Sequence, residues 1–142
     1  MWKTGGAHAA EAWTLLLELL LAERGRLPAI AATLRLSPAQ CHVLHLLEPG
    51  RPVSMRRIAD ALACDASNVT GIVDRLEARG LLQRRVVAHD RRLRVIVVTR
   101  RGAAARARLL ARLAAPPPPI ARLSRAEQRA LCTLLRRAFA PT

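Results

Sequence analysis

Tyrosine is absent from this chain, phenylalanine occurs once, and aromatics make up 2% of its 142 residues. A core must therefore rest on Leu, Ala and Val, which is feasible because hydrophobic residues reach 51%. Lysine is nearly missing as well: of 24 basic residues only Lys3 is lysine and the rest are arginine. Cys41, Cys64 and Cys132 form no close pair and no zinc-ligand spacing, which excludes a disulfide framework and suits a reducing compartment. No apolar run reaches the roughly 18 residues that a membrane span needs. "TLLLELLLA" at 14–22 is interrupted by Glu18 and followed by no small-residue cleavage pattern, so it reads as neither span nor leader. The expectation is a soluble, cytoplasmic protein without membrane contact. No motif calls for a cofactor, and no nucleophile stands beside an oriented base, so an enzyme is not expected.

What the chain has in excess is positive charge, +14 in total, and it is unevenly placed. Residues 1–50 carry four basic and four acidic side chains; residues 51–112 carry fifteen arginines against five acids; residues 113–142 carry five against one. Compositional bias of the source would account for arginine over lysine. It does not account for the concentration in the middle, where a polyanion could dock.

Length allows one domain, or one domain with an oligomerisation element. A first helix is expected over 7–24, with Leu15, Leu16, Leu17, Leu19, Leu20 and Leu21 on nearly every side. A small monomer cannot bury such a helix, which therefore belongs between subunits. "RGRLP" (24–28) breaks or kinks it, and a second helical run continues to Leu36. "SPAQ" (37–40) is a start signal, with Ser37 as N-cap, Pro38 at the first position and Gln40 closing a capping box. Ser54 caps the next helix and Asp65 the one after, so that three helices run over about 37–47, 54–62 and 66–79.

The last of these is the informative one. Val69, Ile72, Val73 and Leu76 recur at i, i+3, i+4 and i+7, the apolar face of a helix. Its other face offers Ser67, Asn68, Gly71, Asp74 and Arg75 before Gly80 stops it. Two short helices with a tight joint make a helix-turn-helix, the second helix being the candidate reader. "LLQRRVV" (81–87) and "RVIVVT" (94–99), separated by "AHDRRL", read as a two-stranded hairpin with an extended basic tip. Thr99 caps a helix over 100–115, four prolines (116–119) end it, and Ser124 with Glu127 opens a final helix. The fold class is mainly α with a small β wing: a winged helix-turn-helix at 37–99, flanked by dimerisation helices at 1–36 and 100–142.

"SPAQCHVLHLL", "IADALACDASNVTGIVDRLEARGLLQRR" and "HDRRLRVIVVTRRG", in this order and spacing, resemble the signature segments of MarR-type transcriptional regulators. The resemblance covers about 35–105. It implies a homodimer on a pseudo-palindromic operator in double-stranded DNA, acting mostly as a repressor and, in many relatives, released by a small-molecule effector. It also assigns base or phosphate contact to Ser67, Asn68, Thr70, Gly71 and Arg75, and a wing Asp-x-Arg to Asp90 and Arg92.

Those assignments make physical sense. Short hydroxyls and amides at a helix start fit a major groove about 12 Å wide. Asp90 can accept a charge-assisted bond from Arg92 and fix the tip, from which Arg91, Arg92 and Arg94 can enter the minor groove. Arg56 and Arg57, at the start of the preceding helix with Ser54, are placed for phosphates. Arg84 is open between phosphate contact and plain solubility. Gly71 departs from relatives that carry a long side chain there, and costs about 1 kcal/mol relative to Ala inside a helix. It either allows close backbone approach or removes a base contact.

"CHVLH" (41–45) raises other possibilities. His42 and His45 at i,i+3 could share a metal, but the later helix offers no further His or Glu, so no metal site is expected. By family analogy an effector pocket would lie near Trp13, His42 and His45. Thiol sensing at Cys41 or Cys64, and charge-driven binding of nucleic acid without sequence preference, are the competing readings.

Overall fold

Helix starts in this chain are fixed by side chains that satisfy the orphan N–H groups of a first turn. The computed structural model describes residues 6–141, so the first five residues of the expected 1–36 segment and Thr142 lie outside the described part. The elements in order are α1 (Ala7–Ala22), a 3-10 turn (Glu23–Gly25), α2 (Arg26–Thr33), α3 (Pro38–Leu46), β1 (Val53–Ser54), α4 (Met55–Leu62), α5 (Ala66–Ala78), β2 (Leu82–Val87), β3 (Asp90–Val98), α6 (Arg100–Ala114), α7 (Pro118–Ala121) and α8 (Arg125–Ala138). Both expected capping boxes form, Ser37 with Gln40 at α3 and Ser124 with Glu127 at α8. The Ser54 and Thr99 hydroxyls accept from the amides of Arg57 and Gly102 at 3.1 and 3.0 Å. Asp65 holds the N-cap position of α5 without a side-chain capping bond.

The expected break at "RGRLP" is milder than a stop. Ala22, Glu23, Gly25 and Arg26 all keep right-handed helical dihedrals, so the chain tightens for one 3-10 turn and resumes. Pro28 is accommodated because it falls in the first turn of α2, where its missing donor would be an orphan anyway.

Three helices end in the same double bond. At α2, Leu36 N–H reaches Ala31 O at 2.9 Å and Arg35 N–H reaches Ala32 O at 3.0 Å. At α4 the pairs are Cys64 to Ala59 and Ala63 to Asp60; at α5 they are Leu81 to Leu76 and Gly80 to Glu77. This is the Schellman arrangement, which needs a left-handed residue next to last. Gly80 supplies it freely at φ 70, but Arg35 (φ 55) and Ala63 (φ 48) adopt it with a Cβ in place.

The sheet corrects the two-stranded expectation. It has three antiparallel strands in the order β1-β3-β2, because Val53 and Ser54 pair with Ile96 and Val95 on the free edge of β3. The core beneath it gathers Val43, Leu44, Leu47, Ile58, Val69, Val73, Leu76, Leu82 and Ile96, and crosses into the flanks to take Ile30, Ala31 and Leu109. Gly102 lets α6 press against the sheet: a Cβ there would stand 1.7 Å from the Leu81 carbonyl oxygen.

Four arginines tie helix ends together. Arg79, just past α5, donates to the Leu34 and Arg35 carbonyls at the close of α2. Arg26 reaches the Arg112 and Ala115 carbonyls at the close of α6, and Arg112 in turn meets the Thr33 hydroxyl. Arg106 reaches the His45 carbonyl near the close of α3. Where these groups meet carbonyls, they satisfy acceptors left unpaired by a helix C-terminus, where a cation is also favoured by the dipole. No helix among the described residues is long and apolar enough to cross a membrane.

Candidate nucleic-acid interface

The apolar stripe of α5 turns inward as its spacing dictates: Val69, Val73 and Leu76 are fully buried and Ile72 packs partly against them. This orients the opposite face outward. Ser67, Asn68, Thr70, Asp74 and Arg75 are exposed, and Gly71 is half-buried with nothing within 4 Å of where a Cβ would be. Packing therefore does not require glycine at 71; the open space there is solvent. Two hollows flank the helix. One, about 340 Å³, is lined by Ala39, Cys64, Ser67, Asn68, Gly71 and Arg75 among others. The other, about 390 Å³, is lined by Met55, Arg56, Ala59, Val69 and Thr70. The helix thus stands proud between depressions, the relief that entry into a groove requires.

Arg56 and Arg57 are exposed on the first turn of α4, ahead of the joint into α5. Ser54 is exposed too, although its hydroxyl oxygen is engaged as the α4 cap. The joint itself contains the left-handed Ala63. A strained residue in the turn that aims a binding helix is held only because both helices over-determine it.

The wing differs from the expected loop. β3 begins at Asp90, leaving only Ala88 and His89 as the turn, and Val87 pairs with Asp90 while Val86 pairs with Arg94. The register jump pushes residues 91–93 out of the ladder as a bulge. Arg91, Arg92 and Arg94 are all exposed, and among the described residues none is in an ion pair. Asp90 does brace the bulge, but by accepting the Arg92 main-chain N–H at 2.9 Å rather than its guanidinium. This leaves the guanidinium of Arg92 uncommitted, a correction that favours contact with an anion outside the protein.

Arg84 is the reverse case. Its guanidinium is bonded to Asp74 and Glu77 of α5, and its main-chain N–H donates to Glu77 at 3.2 Å. Burial works against the charged form, and the two carboxylates more than offset it, lifting the pKa above the ordinary arginine value. A phosphate contact for Arg84 does not fit this geometry. It is a strut that fixes the wing's root against α5, and sequence reasoning missed it because its partners lie seven and ten residues away on another element.

The "CHVLH" segment divides. Cys41 is buried, and burial pushes its thiol pKa up, which keeps it protonated and slow to react. His42 and His45 share a small hollow of about 190 Å³ with Leu46, Ala61 and Leu62. Trp13 does not join them: it lies on α1, 60% exposed, and lines no part of that hollow. The expected grouping of Trp13 with His42 and His45 is not made within one chain. Among the described residues no three metal-ligating side chains cluster.

Residues 36–93 match the model of the MarR family. No curated protein matches the chain in sequence at a significant level. Among solved structures, the chain is similar to the YusO protein from Bacillus subtilis, at 24% identity and a TM-score of 0.72, over 97% of this chain and all of that one. It is similar to wild-type apo MarR from E. coli at 21% identity and a TM-score of 0.73, covering 89% and 95% of the two chains. A MepR variant from S. aureus bound to an oligodeoxyribonucleotide matches at 20% identity and a TM-score of 0.68, covering 90% and 96%. Residues 36–93 thus match the MarR family model in sequence, and the fold over nearly the whole chain is the winged helix-turn-helix of these solved structures.

Proposed function

We propose that the protein is a cytoplasmic, sequence-specific DNA-binding regulator that acts as a homodimer on an inverted repeat, and that it represses transcription there. The carrying observation is the presence, on one winged-helix framework, of an exposed polar α5 face and a wing bulge whose guanidinium groups form no ion pair among the described residues. Ser67, Asn68, Thr70, Gly71 and Arg75 face base edges in the major groove, with backbone at Gly71 able to approach closely. Arg91, Arg92 and Arg94 enter the adjoining minor groove, and Arg56 and Arg57 with the Ser54 hydroxyl hold phosphates. Two reader helices related by a twofold axis meet major grooves about 34–36 Å apart.

The homodimer rests on α1 and α8. Leu15, Leu20 and Leu21 are each more than half exposed, as are Leu134 and Phe139, an apolar surface that a second copy would cover. The MepR variant, solved with an oligodeoxyribonucleotide bound, supports the DNA reading for a protein of this fold. The role is binding, not catalysis.

Selection of bound duplexes from a random pool, followed by anisotropy titration, tests the proposal. One inverted repeat should be preferred over random duplex by about 10³ or more. Equal affinity for all duplexes, with the same steep salt dependence, would replace it with charge-driven packaging of nucleic acid.

A further inference from the structure

Gly71 leaves a gap in the middle of the reader face. Ser67, Gly71 and Arg75 recur four apart, so they share one side of α5, each about 6 Å further along at the usual rise. A Cβ at 71 would meet nothing within 4 Å, and the position opens into the hollow of about 340 Å³. The lining of that hollow divides by chemistry. Ala39 in the first turn of α3, Cys64 in the joint and Ile72 supply apolar surface, while Ser67, Asn68 and Arg75 supply polar groups. The Cys64 thiol donates to the Leu62 carbonyl at 3.3 Å, so its one hydrogen is already spent. Ile72 is half-buried and packs against the core. Among the described residues no carboxylate lines the space.

A duplex offers few groups that suit such a place. Base edges in the major groove carry hydrogen-bond donors and acceptors and one apolar substituent, the C5-methyl of thymine. That methyl leaves water on entering a hollow with apolar walls, which favours its burial. With no side chain at 71, the pyrimidine edge comes up to the helix backbone itself. Arg75 stands one turn further on, and an arginine reads guanine by paired bonds to O6 and N7. Six ångströms of helix correspond to about two base steps of 3.4 Å. The hollow on the opposite flank, about 390 Å³, lacks this pairing: its arginine is Arg56, which the proposed interface gives to a phosphate.

We propose that the hollow beside Gly71 is a base subsite that takes the C5-methyl of one thymine in each half-site, about two base steps from a guanine read by Arg75. The proposal rests on the DNA-binding reading above and names what the empty place on α5 recognises. The absent side chain is then a specificity determinant, because any larger residue would occupy the space that the methyl enters.

Anisotropy titration of the full chain on the duplex selected from the random pool is the test. Each thymine is replaced in turn by deoxyuridine, which removes the methyl and keeps every hydrogen-bonding group. One thymine per half-site is expected to matter, costing about fourfold when exchanged in one half-site and about fifteenfold in both, as about 0.8 kcal/mol per buried carbon implies. A C·G pair at that position should bind more weakly, and C5-methylation of its cytosine should recover about fourfold. Gly71→Leu fills the hollow and should bring the thymine-to-uridine ratio there to about one. Its melting temperature should be no lower, since leucine outranks glycine in a helix. A selected duplex indifferent to every exchange, a uridine penalty that Gly71→Leu leaves intact, or a methylcytosine bound no better than cytosine overturns the subsite while the regulator reading stands. The absence of any preferred duplex sinks the regulator reading, and the subsite with it.

Discussion

The body of the molecule from Ile30 to Leu109 and the helices at its two ends use the same leucines and alanines, yet only the body buries them. Every fully buried side chain among the described residues falls within the body, while α1, α7 and α8 contribute none. α1 has Leu15, Leu17, Leu20 and Leu21 all at least 40% exposed. Composition states how much apolar surface must leave water; the fold of one chain states how much of it that chain can hide. The difference is the apolar surface that a second copy covers in the proposed dimer.

The sharpest way to break this comparison is to put a charge on the bare end. Leu20→Asp should raise the dimer dissociation constant at least about 100-fold, because each dimer buries two copies and each leucine contributes about 1.5–3 kcal/mol. Sedimentation should then find monomers with unchanged helical circular dichroism; a persisting dimer would show that α1 is not the contact. In the body, Leu76→Ala leaves a cavity in the fully buried core and should cost about 2–5 kcal/mol of stability, read by chemical denaturation. A loss below about 1 kcal/mol there would mean that the body is packed no better than the ends.

Within the body, the committed and uncommitted arginines of the wing give a finer contrast. Arg92→Ala should weaken duplex binding by about 1–3 kcal/mol and reduce the slope of log affinity against log salt by about 0.9. Arg84→Ala should leave that slope nearly unchanged, since its charge is already matched by Asp74 and Glu77. Identical slopes for the two variants would erase the distinction. The smallest effect is at Ala63, whose left-handed backbone suits glycine: Ala63→Gly should raise stability by about 1 kcal/mol. A lower melting temperature would place the strain elsewhere.

Signals confined to one or two turns of chain were legible in the sequence. The Ser37, Thr99 and Ser124 caps, and the inward stripe Val69, Val73 and Leu76, depend on residues at most seven apart. Relations across the fold were not. β1 is two residues long and finds its partner about forty residues later, so no periodicity could announce it. The braces from Arg26 to Ala115 and from Arg79 to Arg35 join positions that sequence spacing does not connect. The sequence places Arg92 at the wing tip and leaves Arg84 open between phosphate contact and solubility; only the carboxylates of α5 show that Arg84 is a strut.

The arginine-only makeup of the wing and of the α4 start has a consequence for control. Acetylation silences a lysine by capping its amine, and a guanidinium offers no such handle. With no lysine anywhere in residues 6–141, this surface keeps its positive sign whatever acyl donors the cell supplies. Release from a bound polyanion would then come from moving these cations apart or covering them rather than from acetylating them.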